Sequence, residues 1–245
     1  MKNRVLFLLS VFWLTLTNSY PIWANEPPLR VNLIGTGKQL QFDAPARLAD
    51  IMQASQGNGL SLSYPIATTL FDESKTAKQQ SETLKNAVLN QMMQHNLVSH
   101  PLYKFIKQQQ FAPRLMSELD LDKVRLDKFN NPLLHGTLSL ASPERNQYVF
   151  YLGNTNTVHK IKSQQGVSLY QQLDNLEPVI GRVAQSPVII YPNGQVVLPH
   201  DGAWLTTQYY LPPLTMVYLP FERYTESELD QNIVSLLAQL KLTQR

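Results

Sequence analysis

The sequence predicts an α+β protein built from two similar domains, and three observations carry that prediction. The pattern Val31–Gly35 (VNLIG) returns as Val149–Gly153 (VFYLG), residues 73–110 carry apolar side chains at helical spacing, and the chain closes on a leucine-rich stretch with an apolar residue at every third or fourth position. The first is a strand entering a turn, used twice. The second reads as helix and the third as an amphipathic helix.

Residues 1–24 come first and read as a signal peptide. Lys2 and Arg4 form a basic start, Val5–Leu16 is almost unbroken apolar sequence, and Ile22-Trp23-Ala24 offers a cleavage site. The apolar run falls short of the roughly 20 residues that span a bilayer. The mature chain is therefore expected to be soluble and, with its leader removed, periplasmic.

Residues 25–142 form the first expected domain. Val31 and Ile34 begin a hairpin whose second arm carries Leu40 and Phe42, and Leu48-Ile51-Met52 marks a short helix after it. From Glu73 to Gln110, Leu84, Val88, Leu89, Met92 and Met93 lie at helical spacing, interrupted by His95-Asn96 and Pro101. This predicts a helical hairpin over about 73–110, inserted in the first domain. Leu119–Leu140 then alternates in places around Asn130-Asn131-Pro132, which predicts paired strands.

Pro143 opens the second domain, residues 143–222. Its hairpin continues through Val158 and Ile161, its helix through Leu169, Leu173 and Leu176, and Val188–Ile190 and Val196–Leu198 flank the turn Pro192-Asn193-Gly194. Met216–Leu219 adds a further strand. In residues 223–245, Thr225 and Glu228 have capping-box spacing. Leu229, Ile233, Leu236, Leu237 and Leu240 then make an apolar stripe opposite Asp230, Gln231, Gln239 and Lys241, for a helix of about 16–18 residues.

Composition narrows the function classes. The full chain has 21 Lys+Arg against 18 Asp+Glu, and losing Lys2 and Arg4 with the leader brings the two nearly level, so nucleic acid is not implied as a partner. The absence of cysteine excludes a thiol nucleophile, a Cys-ligated metal and a lipid-modified N-terminal Cys. No G-x-S-x-G, H-E-x-x-H or complete phosphate-binding loop occurs; Gly35-Thr36-Gly37-Lys38 fits a hairpin turn better. His95, His100, His135, His159 and His200 include no i, i+4 pair. No catalytic residue, metal ligand or cofactor is assigned.

Two features keep alternatives open. Glu118, Asp120, Asp122 and Asp127 are clustered carboxylates of the kind a glycosidase or calcium site uses, although alternation with Leu119 and Leu121 places them on the solvent face of a strand or its approach. Arg114 follows Pro113 where the helical insertion returns to strands, and its guanidinium can fork onto backbone carbonyls, a bound anion or a sugar hydroxyl.

In RLMSELDLDKVRLDKFNNPLLHG, the residues Arg114, Leu119, Asp120, Asp122, Val124, Arg125, Asp127, Asn131, Pro132, Leu134 and Gly136 fit one family pattern without a gap. A second block runs through Pro192, Gly194, Ala203-Trp204 and Pro212-Pro213, and a third is the terminal LDQNIVSLLAQL. On these blocks the chain resembles the GfcC family of periplasmic proteins, part of the group 4 capsule machinery of enteric bacteria. The resemblance implies two β-grasp domains, similar to the soluble-ligand-binding-type (SLBB-like) domains of the outer-membrane polysaccharide exporter Wza, with the helical hairpin in the first and an amphipathic helix at the C-terminus. It also implies a pocket-lining or buried arginine at Arg114.

The expected function is an accessory role in capsule or exopolysaccharide assembly or export, without catalysis, by a monomer binding polysaccharide or outer-membrane export proteins. One alternative is a polysaccharide-processing enzyme using Asp120, Asp122 and Asp127. The other is a membrane-associated or oligomer-forming exporter component acting through Leu229, Ile233, Leu236, Leu237 and Leu240; the few cations on that helix favour docking on the body of the protein.

Overall fold

Leu29, Val31 and Leu33 alternate with Arg30 and Asn32, and this alternation makes the first strand of the computed structural model, which describes residues 28–164, 166–199 and 209–242. The expected signal peptide and Ala203-Trp204 lie outside the described residues. β1 (Leu29–Leu33) pairs antiparallel with β2 (Lys38–Phe42), setting Val31 opposite Leu40. A two-residue strand, β3 (Ala46–Arg47), leads into α1 (Leu48–Gly57), which buries Leu48, Ile51 and Met52.

β4 (Thr69–Asp72) lies just ahead of the inserted helices, α2 (Lys75–Gln94) and α3 (Pro101–Gln108). Ser74 caps α2 by accepting from the Ala77 N–H, and Pro101 stands at the first position of α3, where its missing N–H costs nothing. Between them Asn96 takes a left-handed conformation and the Leu97 N–H returns to the Met92 carbonyl, closing the helix where His95-Asn96 was expected to break it.

The return strand β5 (Arg114–Met116) is followed by α4 (Leu121–Leu126), β6 (Leu133–Leu134) and β7 (Gly136–Ala141). The strand expected around Leu119–Leu126 is instead the short helix α4. Asp120 caps it by accepting from the N–H groups of Asp122 and Lys123, and Asp127 accepts from the Phe129 N–H to start a 3₁₀ turn. Two acids at helix starts explain the acidic run better than the face of a strand.

The second half repeats the plan with β8 (Tyr148–Gly153), β9 (His159–Lys162), α5 (Leu169–Ile180), β10 (Val188–Ile190), β11 (Val196–Val197) and β12 (Met216–Leu219), and closes with α6 (Glu228–Leu237). The first sheet is ordered β2-β1-β7-β4-β5 and the second β11-β10-β12-β8-β9. Read from the hairpin edge, these are the same order. In each sheet the last strand lies parallel to the first, with Val31 beside Leu138 and Tyr151 beside Val217, and the other pairings are antiparallel. The helical hairpin occupies the connection that in the second sheet is the turn Pro192-Asn193-Gly194.

The second sheet is covered on both faces. Val149, Tyr151, Ile189 and Val217 pack with Leu169, Leu173 and Ile180 of α5, whereas Leu152, Val188, Ile190, Met216 and Tyr218 pack with α6 and with Val88, Met92, Leu102 and Ile106 of the inserted helices. This double burial accounts for the continuous apolar runs VFYL, VII and MVYL. At its parallel pair, Gly153 has φ +114° and a Cβ there would meet the Leu219 carbonyl oxygen at 2.1 Å, so only glycine fits.

α6 has ten residues rather than 16–18, and its cap is Ser227, not Thr225. After Leu237 the chain passes through a turn at Ala238 and Gln239 and then finds another backbone partner: the Ala112 N–H donates to the Gln239 carbonyl, the Lys241 N–H donates to the Gln110 carbonyl, and Phe111 bridges Leu240. Asp230, expected on the polar face, is fully buried.

Candidate functional site

The chain segment around Arg114 gathers groups from both halves of the molecule. Arg114 opens β5, and its partly buried guanidinium points at the corresponding turn of the second sheet and at the end of α6. Nε donates to the Ala238 carbonyl at 2.6 Å, Nη1 to Thr69 Oγ1 at 2.9 Å and to the Pro192 carbonyl at 3.0 Å, and Nη2 to the Leu240 carbonyl at 3.4 Å. The Phe71 ring lies 5.3 Å from its central carbon. Burial brings its pKa down to about 10, which still leaves it charged at neutral pH.

Gly194 makes this approach possible. It has φ +88°, and a Cβ there would lie 2.6 Å from Nε of Arg114 and 3.0 Å from the Ala238 oxygen. The neighbouring Asn193 donates to Glu118 at 2.6 Å, a second tie across the same junction. Three carbonyls from two elements satisfy the planar fork of an arginine; a lysine has no such geometry.

A buried ion pair stands close by in sequence. Lys241 reaches Glu73 at 2.5 Å, with side chains only 12% and 6% exposed, while Ser139 donates to the same carboxylate oxygen at 2.7 Å and Lys78 lies 3.4 Å from the other. Burial opposes ionisation of Glu73, but the Lys241 and Ser139 hydrogen bonds and the two lysine charges outweigh it and hold the pKa below its ordinary value. Lys241 was expected on a solvent face; the turn after α6 and the pairing with residues 110–112 carry it inward instead.

The stripe Leu229, Ile233, Leu236, Leu237 and Leu240 is buried in an apolar cluster shared with the second sheet and the inserted helices. Asp230 anchors the start of the helix by accepting from Tyr218 Oη at 2.5 Å and from the N–H groups of Phe221 and Glu222. Nothing in the sequence marks this aspartate except its place directly after Leu229 and three residues before Ile233, a spacing equally compatible with solvent.

An open cleft of about 660 Å³ lies between the inserted hairpin and the second sheet. Gln108, Gln109 and Gln110 line one side, Phe105 and Phe150 provide aromatic surface, and Leu240 and Lys241 form part of the wall. Arg114 holds this wall from behind through the Leu240 carbonyl. Amides beside aromatic surface suit a neutral polar ligand held by hydrogen bonds and ring contact.

The other sequence candidates are dispersed. His100 caps α3 through Nδ1, His159 bonds Asn156, and His200 lies outside the described residues. Among the described residues, no three His, Asp or Glu side chains converge on a possible metal position. No described helix is long and apolar enough to cross a membrane. No protein-family model matches the chain.

Proposed function

We propose that this protein is a periplasmic accessory factor in capsule or exopolysaccharide assembly or export, built on two β-grasp domains and acting by binding polymer or export-machinery partners. The observation that carries the reading is the repeated sheet. Both halves use a hairpin, a helix and a last strand parallel to the first in one strand order, with a helical hairpin inserted in the first. This repetition supports the two β-grasp domains that the resemblance to capsule-biosynthesis proteins implies.

The cleft bordered by Gln108–Gln110 and Phe105 supports a binding role, since its lining offers hydrogen-bonding amides and ring surface. Two of the three carboxylates of the enzymatic alternative are engaged locally: Asp120 and Asp127 accept backbone N–H groups at the starts of helical turns. The membrane alternative would need the α6 stripe, which is already covered by α2, α3 and the second sheet.

The test is surface polymer on cells that lack the protein. Loss of polymer, restored by the wild-type gene, is the expected result; unchanged polymer removes the assignment.

A further inference from the structure

A second groove lies where β8 begins and β9 ends, and it shares no lining residue with the cleft beside α3. Its larger part, about 570 Å³, is lined by Arg145, Asn146, Gln147, Lys162, Ser163 and Tyr210. A smaller depression of about 130 Å³ continues from Ser163 and Tyr210 toward Gln164 and Gln172. Tyr210 is 64% exposed and stands at the boundary of the two.

The charge of this groove has one sign. Arg145 and Lys162 are exposed, neither joins an ion pair with a described carboxylate, and no described carboxylate lines the groove. Lys160 projects from the same face of β9 as Lys162 and lies 4.5 Å over the Tyr148 ring, adding a third cation nearby. Yet the molecule as a whole is close to neutral, so the concentration here is local.

The walls are tied down. The Ser163 N–H donates to the Gln147 carbonyl at 2.6 Å, Ser163 Oγ to the Leu211 carbonyl at 3.2 Å, the Tyr148 N–H to Asn146 Oδ1 at 2.9 Å, and Tyr64 Oη to the Pro213 carbonyl at 2.9 Å. A groove with fixed walls and long cationic side chains on its rim holds an extended ligand better than a compact one.

We propose that this groove binds an acidic oligosaccharide: Arg145 and Lys162 face sugar carboxylates, the Asn146 and Gln147 amides face hydroxyls, and the Tyr210 ring lies against a sugar face. The saccharide part rests on the functional reading above, and the preference for acidic sugars rests on the unpaired cations of the groove. Two depressions meeting at Tyr210 accommodate successive residues of one chain.

The experiment is titration of the protein lacking its leader with tetragalacturonate, with maltotetraose as a neutral chain and inorganic phosphate as a bare anion, followed by calorimetry. Tetragalacturonate binds, maltotetraose binds at least about tenfold more weakly, and phosphate does not compete; raised salt weakens the acidic ligand. The double variant Arg145→Gln/Lys162→Gln loses about tenfold or more for tetragalacturonate with an unchanged melting temperature, because both side chains are exposed. Absence of tetragalacturonate binding, equal binding of maltotetraose, full competition by phosphate, or indifference to the double variant each overturns the proposal. Surface polymer in the deletion strain separates the two readings: polymer lost without tetragalacturonate binding defeats the groove alone, and binding with polymer unchanged defeats the capsule role alone.

Discussion

Arg114 and Gly194 act as one unit, since the first can reach its carbonyls only past a residue without a Cβ. Arg114→Ala leaves the Ala238, Pro192 and Leu240 carbonyls without their shared donor, and a loss of about 3–4 kcal/mol is expected in urea unfolding. Arg114→Lys recovers only part of it. Gly194→Ala is expected to destabilise by about 2 kcal/mol or more, from the positive φ and from displacing the guanidinium. Because both variants break the same contact, the double variant should cost well under the sum of the two, as a double-mutant cycle would reveal. An additive pair would mean that they act separately.

Glu73 adds a pH dependence whose sign follows from its surroundings. Its folded pKa lies below the ordinary 4.5, so its stabilising contribution is present above that value and is lost as pH falls through the folded pKa. Melting temperature should therefore drop below about pH 4.5, and Glu73→Gln should flatten that decline while lowering stability at neutral pH. Scans of both proteins from neutral to acid pH would settle it; parallel curves would contradict the assignment.

Among the elements, α6 departs furthest from a free amphipathic helix. Its stripe is core, its start is pinned by Asp230 to Tyr218, and the chain after it runs beside residues 110–112. Leu236→Ala is expected to cost about 2–4 kcal/mol, and native protein should not co-float with anionic vesicles, because the apolar face is occupied. α4 depends on its cap in a more modest way. Asp120→Ala should cost about 1 kcal/mol, detectable as a shift of the urea midpoint without change of slope.

For the molecule as a whole, the inserted helices matter most. They enter from the first sheet, yet Val88, Met92, Leu102 and Ile106 pack with residues of the second sheet and α6. The two halves are thus joined by a common apolar cluster as well as by Arg114 and the Glu73–Lys241 pair. One cooperative unfolding transition is expected, with calorimetric and van't Hoff enthalpies in a ratio near 1. A fragment ending at residue 142 should fail to show a cooperative melt by circular dichroism, since its hairpin would carry an uncovered apolar face. Two separated transitions would show that the halves are independent.

By itself the sequence determined the local plan of both halves: the hairpins at Val31 and Val149, the helices after them, the inserted hairpin broken at His95-Asn96, and the turn at Pro192-Asn193-Gly194. Each has a short-range cause, in alternation, helical spacing or turn chemistry, that operates wherever the chain is placed. It misread Leu119–Leu126 because alternating leucines and acids suit a strand face as well as capped helical turns, and only the Asp120 and Asp127 hydrogen bonds distinguish them. It placed Asp230 and Lys241 in solvent because polar residues usually lie there; their partners, Tyr218 and Glu73, come from other elements and cannot be read from spacing. Arg114 could be singled out by its position, but its partners could not. Tertiary structure alone brought three carbonyls from distant segments within reach of one guanidinium, because such contacts depend on how the two sheets meet and not on any local pattern.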